Sequence, residues 1–282
     1  MTFARPEAEV YIPDGVAVDA ALKRTTHMGI GAHQDDLEIM AWRGILECYD
    51  SDTDWFTGVT VTDGGGSART GPYADTTDDQ MKKIRRAEQD KAAKLGDFSA
   101  MIQLCHPSSV VKNPKQDALV QDLASILKLS RPRVVYTHNL CDKHDTHIGV
   151  VLNVIRAIRS LPKADRPAQV VGCEVWRNLD WMLDEDKVVM DVSAHESLGA
   201  ALVGLFDSQV AGGKRYDLAT LGRWRANATY FSSHATDQAT GLIYGMDLTP
   251  LFTDDTLAPA DLARRYLDRF TGDVAARLAK FS

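Results

Sequence analysis

An α/β domain built on a mostly parallel sheet is the fold class the sequence predicts, and three observations predict it. Apolar, β-branched runs alternate with amphipathic segments over the first 190 residues. The amphipathic segments are long enough to serve as crossovers between parallel strands. No internal repeat or low-complexity linker interrupts the alternation.

The elements follow in order. Residues 26–32 (THMGIGA) form a short apolar run ending in small residues, hence a strand, and from Leu37 the set Ile39, Met40, Ile45 and Leu46 predicts a helix. Trp55 to Thr62 is aromatic and β-branched, a second strand, and the polar stretch from Asp63-Gly64-Gly65-Gly66 to about Asp79 is a long loop. Gln80 to Leu95 is a helix with Met81, Ile84, Ala87 and Leu95 on one side, its KKIRR run a solvated face. Met101 to Cys105 is a strand. Asn113-Pro114 predicts a helix N-terminus ahead of the stripe Leu119, Leu123, Ile126 and Leu127.

Arg133 to Thr137 is the next strand, followed by a helix on Ile148, Val151, Leu152, Ile155 and Ile158. Strands are expected near Gln169 to Trp176 and Lys187 to Val192. Ser193-x-x-Glu196 has the spacing of a capping box opening a helix with Leu198, Ala201, Leu202 and Leu205. Beyond Gly212 the signals weaken until Ala260 to Lys280, which is helical. The whole chain, 1–282, is therefore read as one domain: a core over about 25–210 and an irregular C-terminal part over about 211–282.

Composition excludes several function classes. The 282 residues hold 32 Lys+Arg against 39 Asp+Glu, a formal net charge of −7, so no basic stripe is expected for nucleic acid or an anionic membrane. No apolar run approaches the ~18 residues of a membrane span. The segment from Met1 to Arg24 carries Glu7, Glu9 and Asp14 and has no apolar core, so it does not read as a signal peptide. Cys48, Cys105, Cys141 and Cys173 form no CxxC pair and read as reduced thiols, pointing to the cytoplasm.

In open α/β sheets ligands bind at the carboxyl ends of the strands. Two of the loops expected there carry His and Asp at short spacing: His33-Gln34-Asp35-Asp36, and His138 through His147. His33 with Asp36, together with His144-x-x-His147, can offer three N/O ligands and leave a position open, as in a catalytic zinc site; Asp35 is then placed to act as general base. The competing reading is structural. Asp35 or Asp36, and Asp145 or Thr146, would then only cap the helices that follow. Cys141-x-x-His144 also has ligand spacing.

These residues resemble the PIG-L/LmbE-like N-acetylglucosamine deacetylases. Ala32-His33-Gln34-Asp35-Asp36-Leu37-Glu38 is similar to the family's AHPDDE motif, with Gln34 in place of proline. Arg85-Arg86-Ala87-Glu88, followed by Leu95-Gly96, is similar to its Arg-x-x-Glu helix; His144-Asp145-Thr146-His147 resembles its His-Pro-Asp-His motif, and Asp191-Val192-Ser193 its Asp-(Ile/Val)-Ser. The resemblance spans about residues 25–210. It implies a Rossmann-like three-layer fold and a zinc-dependent hydrolase that removes the acetyl group from an N-acetylglucosamine-type conjugate, although Fe2+ or another divalent metal suits the same ligands. His33, Asp36 and His147 are the implied metal ligands, Asp35 the base, His144, in protonated form, the stabiliser of the oxyanion, and Arg85 the substrate-binding arginine. The acid of the His-Pro-Asp-His motif falls one place early, as Asp145, so its role passes either to Asp145 or to Asp142.

Arg69 in the glycine loop, His138 at a strand end and His234 in the C-terminal part are further candidates for substrate contact. Trp176, Trp181, Trp224 and Tyr230 are assigned to core packing, with a sugar-stacking wall as the alternative. The expected partner is a small amino sugar conjugate, with neither nucleic acid nor membrane, and nothing forbids a homo-oligomer. Two other functions compete: a non-catalytic, metal-dependent sugar-binding protein, and a dinucleotide-binding oxidoreductase. Against the latter, Gly29-x-Gly31-Ala32-His33 is not Gly-x-Gly-x-x-Gly.

Overall fold

The computed structural model describes residues 1–282. Along the chain run β1 (Glu9–Tyr11), α1 (Val18–Lys23), β2 (His27–Gly31), α2 (Asp36–Met40), α3 (Trp42–Cys48), β3 (Phe56–Thr62), α4 (Asp78–Leu95), β4 (Ala100–His106) and α5 (Ser108–Val111). There follow α6 (Ala118–Ser130), β5 (Val134–His138), α7 (Asp145–Arg159), β6 (Gln169–Cys173), β7 (Lys187–Asp191), α8 (Glu196–Gly204), α9 (Asp207–Val210), α10 (Tyr216–Tyr230), β8 (Leu242–Asp247), α11 (Pro250–Thr253) and α12 (Pro259–Phe281).

The eight strands form one sheet in the order β1-β4-β3-β2-β5-β6-β8-β7. The central five, β4 to β6, are mutually parallel, as their crossover helices require, and β1 and β8 join antiparallel. Each central strand is buried along nearly its whole length because both of its faces are covered. Alternate residues feed two cores. Met28, Ile30, Val59, Val61 and Val135 pack with α1, α6 and α7 on one face; Phe56, Met101, Tyr136 and Val171 pack with α2, α3 and α8 on the other. This is the expected three-layer arrangement.

The strand order reverses direction between β2 and β5: the chain first winds outward through β3 and β4, then returns to β5 and continues to β6. The register pairs Ile30 with Thr137, so the loops after β2 and β5 leave the sheet side by side at its carboxyl edge. Such a switch point is where an α/β sheet opens a crevice.

Three local expectations need correction. The helix expected to open at Asn113-Pro114 begins at Ala118, because the Asn113 side chain accepts the Lys115 N–H and closes a turn instead. Ser193 and Glu196 form no capping box: Ser193 Oγ donates to Asp191 and accepts the Thr240 N–H, and the N-cap is His195 with φ of 52°. The box that does form is Thr77 with Gln80, at the start of α4. The chain beyond 210 is also more regular than its sequence signals, since β8 inserts between β6 and β7 and α10 covers one face.

Candidate active site

The loop after β2 delivers His33, Asp35 and Asp36 to the switch point, and the loop after β5 with the first turn of α7 delivers His144 and His147. These five residues line a single cavity of about 680 Å³. His33 Nδ1 lies 3.3 Å from Asp36 Oδ2 and 3.2 Å from His147 Nε2, and His147 Nε2 lies 3.6 Å from Asp36 Oδ2. Ligand atoms around a tetrahedral metal with bonds of ~2.0–2.1 Å stand about 3.3–3.4 Å apart. The donor triangle therefore fits a divalent metal.

The backing of His147 supports that fit. Its Nδ1 lies 3.1 Å from Asp142 Oδ2, while Asp142 Oδ1 accepts the His144 N–H at 2.9 Å. With Nδ1–H donated to a carboxylate, the Nε2 lone pair is left facing His33 and Asp36, the usual support for a metal-binding histidine. Burial pushes the Asp142 carboxyl up, but the bond to His147 and the neighbouring charge outweigh it and hold the pKa at about 2. Asp142 is thus the carboxylate that reaches an imidazole here; Asp145 is exposed at the cavity wall.

Neither Asp35 nor Asp36 caps α2 with its side chain. Asp36 Oδ2 instead accepts the His33 N–H at 2.7 Å. Burial raises the Asp36 carboxyl, yet the facing imidazoles of His147 and His138 bring it well below the usual carboxylate range. Asp35 is at φ 103°, a conformation L residues rarely adopt. Burial raises its pKa to about 7, against the pull of Arg85, whose Nη2 is 3.6 Å from Oδ1.

Gln34, where the related motif has proline, ties the loop down with its side chain. Its Nε2 donates to Thr62 O and Gln103 Oε1, both at 3.2 Å, and its carbonyl accepts Arg85 Nη2 at 2.5 Å. Arg85, not Arg86, is the arginine at the cavity; Arg86 turns away to Glu9 and Cys105. Gly64 sits beneath this lattice at φ 71°, where an added Cβ would stand 2.5 Å from Gln34 Oε1. This glycine is therefore required by a close approach of protein to protein.

Three candidates for substrate contact lie elsewhere. His138 is fully buried behind the cluster, stacked on His147 at 3.8 Å, and its Nε2 accepts the Ala32 N–H at 2.8 Å, so it braces the site instead of touching substrate. With Asp36 and His147 it also forms a group of donors that could hold a metal. Arg69 is absent from the cavity lining and braces the glycine loop, bonding Gly65 O and, at 2.5 Å, Asp78. His234 is exposed in the segment between α10 and β8 and does not line the cavity. Cys141 joins no cluster of possible ligands.

Other parts of the site depart from the core-packing assignment, and Trp176 stands where the alternative, a wall of the cavity, would put it. Trp176 forms a wall of the cavity, its ring parallel to His144 at 6.3 Å and edge-on to Tyr216 at 5.9 Å. Trp224 does pack in the core, on Trp42, and Tyr230 is exposed. Gln89, Tyr216, Lys112, Lys143 and Lys214 gave no signal because their positions depend on the tertiary fold, whereas Glu38 ends the motif of residues 32–38. Gln89 donates to Glu38 at 2.8 Å and its Oε1 accepts the Asp35 N–H at 3.4 Å, tethering the strained Asp35 backbone to α4.

A His/Asp donor triangle with an adjacent carboxylate thus stands at the switch point of an α/β sheet. Residues 28–158, which hold every member of that triangle, match the family model described as PIG-L: GlcNAc-PI de-N-acetylase. Comparison with curated proteins finds no match. Among solved structures, N,N'-diacetylchitobiose deacetylase from Pyrococcus horikoshii is 16% identical, with 82% of this chain and 86% of that chain covered and a TM-score of 0.62. A conserved protein from Thermus thermophilus is 17% identical over 83% and 99%, with a TM-score of 0.61. A 4-carboxy-2-hydroxymuconate hydratase from Pseudomonas putida is 15% identical over 79% and 96%, also at 0.61. These likenesses concern the fold; a hydratase shares it, so the reaction must be argued from the site.

Proposed function

We propose that the protein is a divalent-metal-dependent N-deacetylase that releases acetate from an N-acetylglucosamine-type amino sugar conjugate. The observation that carries this reading is the donor triangle of His33, Asp36 and His147 with Asp35 beside it, within the span that matches a de-N-acetylase family. His33, Asp36 and His147 would hold the metal, with Asp142 orienting His147. When bound, zinc or a similar ion supplies Lewis acidity, lowering the pKa of water and polarising a carbonyl.

The chain's own groups supply the proton transfers. Asp35, with a carboxyl pKa raised by burial to about 7, can both accept and return a proton near neutrality. It takes the proton of the water that attacks the amide carbon, and returns it to the nitrogen as the C–N bond breaks, leaving acetate and a free amine. Burial and the neighbouring imidazoles of His147 and His33 hold His144 below the usual histidine range. It therefore acts as a neutral N–H donor to the developing oxyanion, in place of the protonated form the resemblance implies; one such donor is worth on the order of 3 kcal/mol. His144 Nδ1 is buried without a hydrogen-bond partner in the fold.

The test is acetate release from a panel of N-acetylglucosamine conjugates. Asp35→Ala should keep its metal and lose at least ~10²-fold in turnover, the usual contribution of a general base. Near-wild-type release by that variant would overturn the mechanism.

A further inference from the structure

Helix α12 is longer than the part of the body that holds it. Its first half is tied down: Leu262 is buried, and the Tyr266 hydroxyl donates to Asp247 O at the end of β8. Arg269 then pairs at 2.7 Å with both Glu185 and Asp186, just before the edge strand β7. Beyond Arg269 every side-chain hydrogen bond stays within the helix and its cap: Thr271 to Leu267 O, Arg277 to Asp273, and Ser282 to Leu278 O. Residues 270–281 thus run for about 18 Å, at 1.5 Å per residue, without a polar tie to the rest of the chain. The stretch is not polar, however. Leu267, Val274, Leu278 and Phe281 are 43%, 39%, 66% and 84% exposed. A helical stretch this short, with Gly272 inside it, is marginal in water unless its apolar face is covered.

The apolar residues are spaced symmetrically. Leu267 and Phe270 stand seven and four residues before Val274, and Leu278 and Phe281 stand four and seven after it. At 3.6 residues per turn the five fall within about 80° of arc, one narrow seam. A seam symmetric about its middle residue suits an antiparallel copy of itself. With a two-fold axis at Val274, Leu267 meets Phe281 of the second helix, Phe270 meets Leu278, and Val274 meets Val274, the self-complementary contact of an isologous pair. The charges agree. Asp273 and Arg277 lie on one flank of the seam, one residue before the axis and three after it, so Asp273 of each copy faces Arg277 of the other. The other flank carries Thr271 and Ala275, small and uncharged, and brings no like charges together. A chain of net charge −7 suits an anionic membrane surface less well.

We propose that α12 is a dimerisation arm whose partner is a second copy of this chain, packed antiparallel across a two-fold axis at Val274. No residue of the arm lines the cavity, so each copy keeps a complete site of its own. One helix pair makes a small interface, and the dimer therefore dissociates on dilution.

The experiment is sedimentation velocity on the full chain over about 1–200 μM, the range in which a weak dimer forms. Wild type should pass from monomer to dimer. Leu278→Glu/Phe281→Glu should raise the dissociation constant at least ~10-fold, because the dimer would bury unpaired charge. Thermal unfolding of the monomer should not change, since both side chains are exposed there. Arg277→Asp should weaken the dimer, and Asp273→Arg/Arg277→Asp should restore it. Val274→Cys, on the axis, should cross-link to its own copy through a short bifunctional thiol reagent, whereas Ala276→Cys, on the opposite side of the helix, should not. A monomer at every concentration, a dimer indifferent to Leu278→Glu/Phe281→Glu, or equal cross-linking at both positions overturns the inference. Binding to anionic vesicles without self-association overturns it too, and assigns the seam to a membrane surface.

Discussion

At the scale of single residues, the centre is held by atoms that have no freedom to take other roles. Asp142 shows this best: one carboxylate oxygen fixes the His144 backbone and the other fixes the His147 ring. Asp142→Asn preserves the shape but replaces one acceptor oxygen by a donor, which frees the imidazole to rotate or change tautomer. It should weaken metal binding about 10–100-fold, the usual cost of losing such a backing group, as read by competition with a chromogenic chelator. An unchanged affinity would remove Asp142 from the site. His33, Asp35, Asp36, His144 and His147 were legible in the sequence because their spacing within each loop is itself the pattern. Asp142 was legible only as one of two choices, since spacing does not tell which carboxylate reaches an imidazole. His138 was legible only as a strand-end histidine, since such a residue looks alike whether it faces the cavity or, as here, backs onto His147.

At the scale of elements, strands and amphipathic helices were readable wherever a face is apolar with a steady period, as in α7. Caps were less so. Ser193 and Glu196 have the spacing of a box, yet the Ser193 hydroxyl is drawn to Asp191 and to the backbone before β8, a partner distant in sequence. Such competition cannot be seen locally. The end of β6 carries a further hidden group, Glu174, whose Oε2 accepts the Leu179 N–H at 2.5 Å while Oε1 is buried without a partner. Burial raises its pKa from 4.5 to about 7. Because the folded value lies above the unfolded one, its contribution to stability is fully present below pH 4.5 and is lost as pH rises through about 7. The stability difference between wild type and Glu174→Gln, followed by thermal unfolding, should therefore shift against the wild type between pH 4.5 and 7. A difference constant over that window would contradict the assignment.

At the scale of the molecule, what creates the site is the strand order. Neither the β2 loop nor the β5 loop holds a complete ligand set; adjacency of β2 and β5 at the switch point brings His33 and Asp36 to His147, 111 residues away from Asp36 in the chain and 3.6 Å away in space. The alternation of strands and helices predicted the sheet, and the carboxyl-edge rule predicted that the two loops would meet. The insertion of β8 between β6 and β7 was not legible, because a strand that pairs antiparallel to distant segments leaves only a short apolar run in sequence. No helix is long and apolar enough to cross a membrane. The central claim is that this topology builds one metal centre from His33, Asp36 and His147. Elemental analysis of the purified protein, for wild type and for His147→Ala, tests it most directly. The account predicts about one zinc or other divalent ion per chain in the wild type and its loss in the variant, with the fold retained by circular dichroism. Absence of any bound or bindable metal in the wild type, or full metal content in His147→Ala, would contradict it.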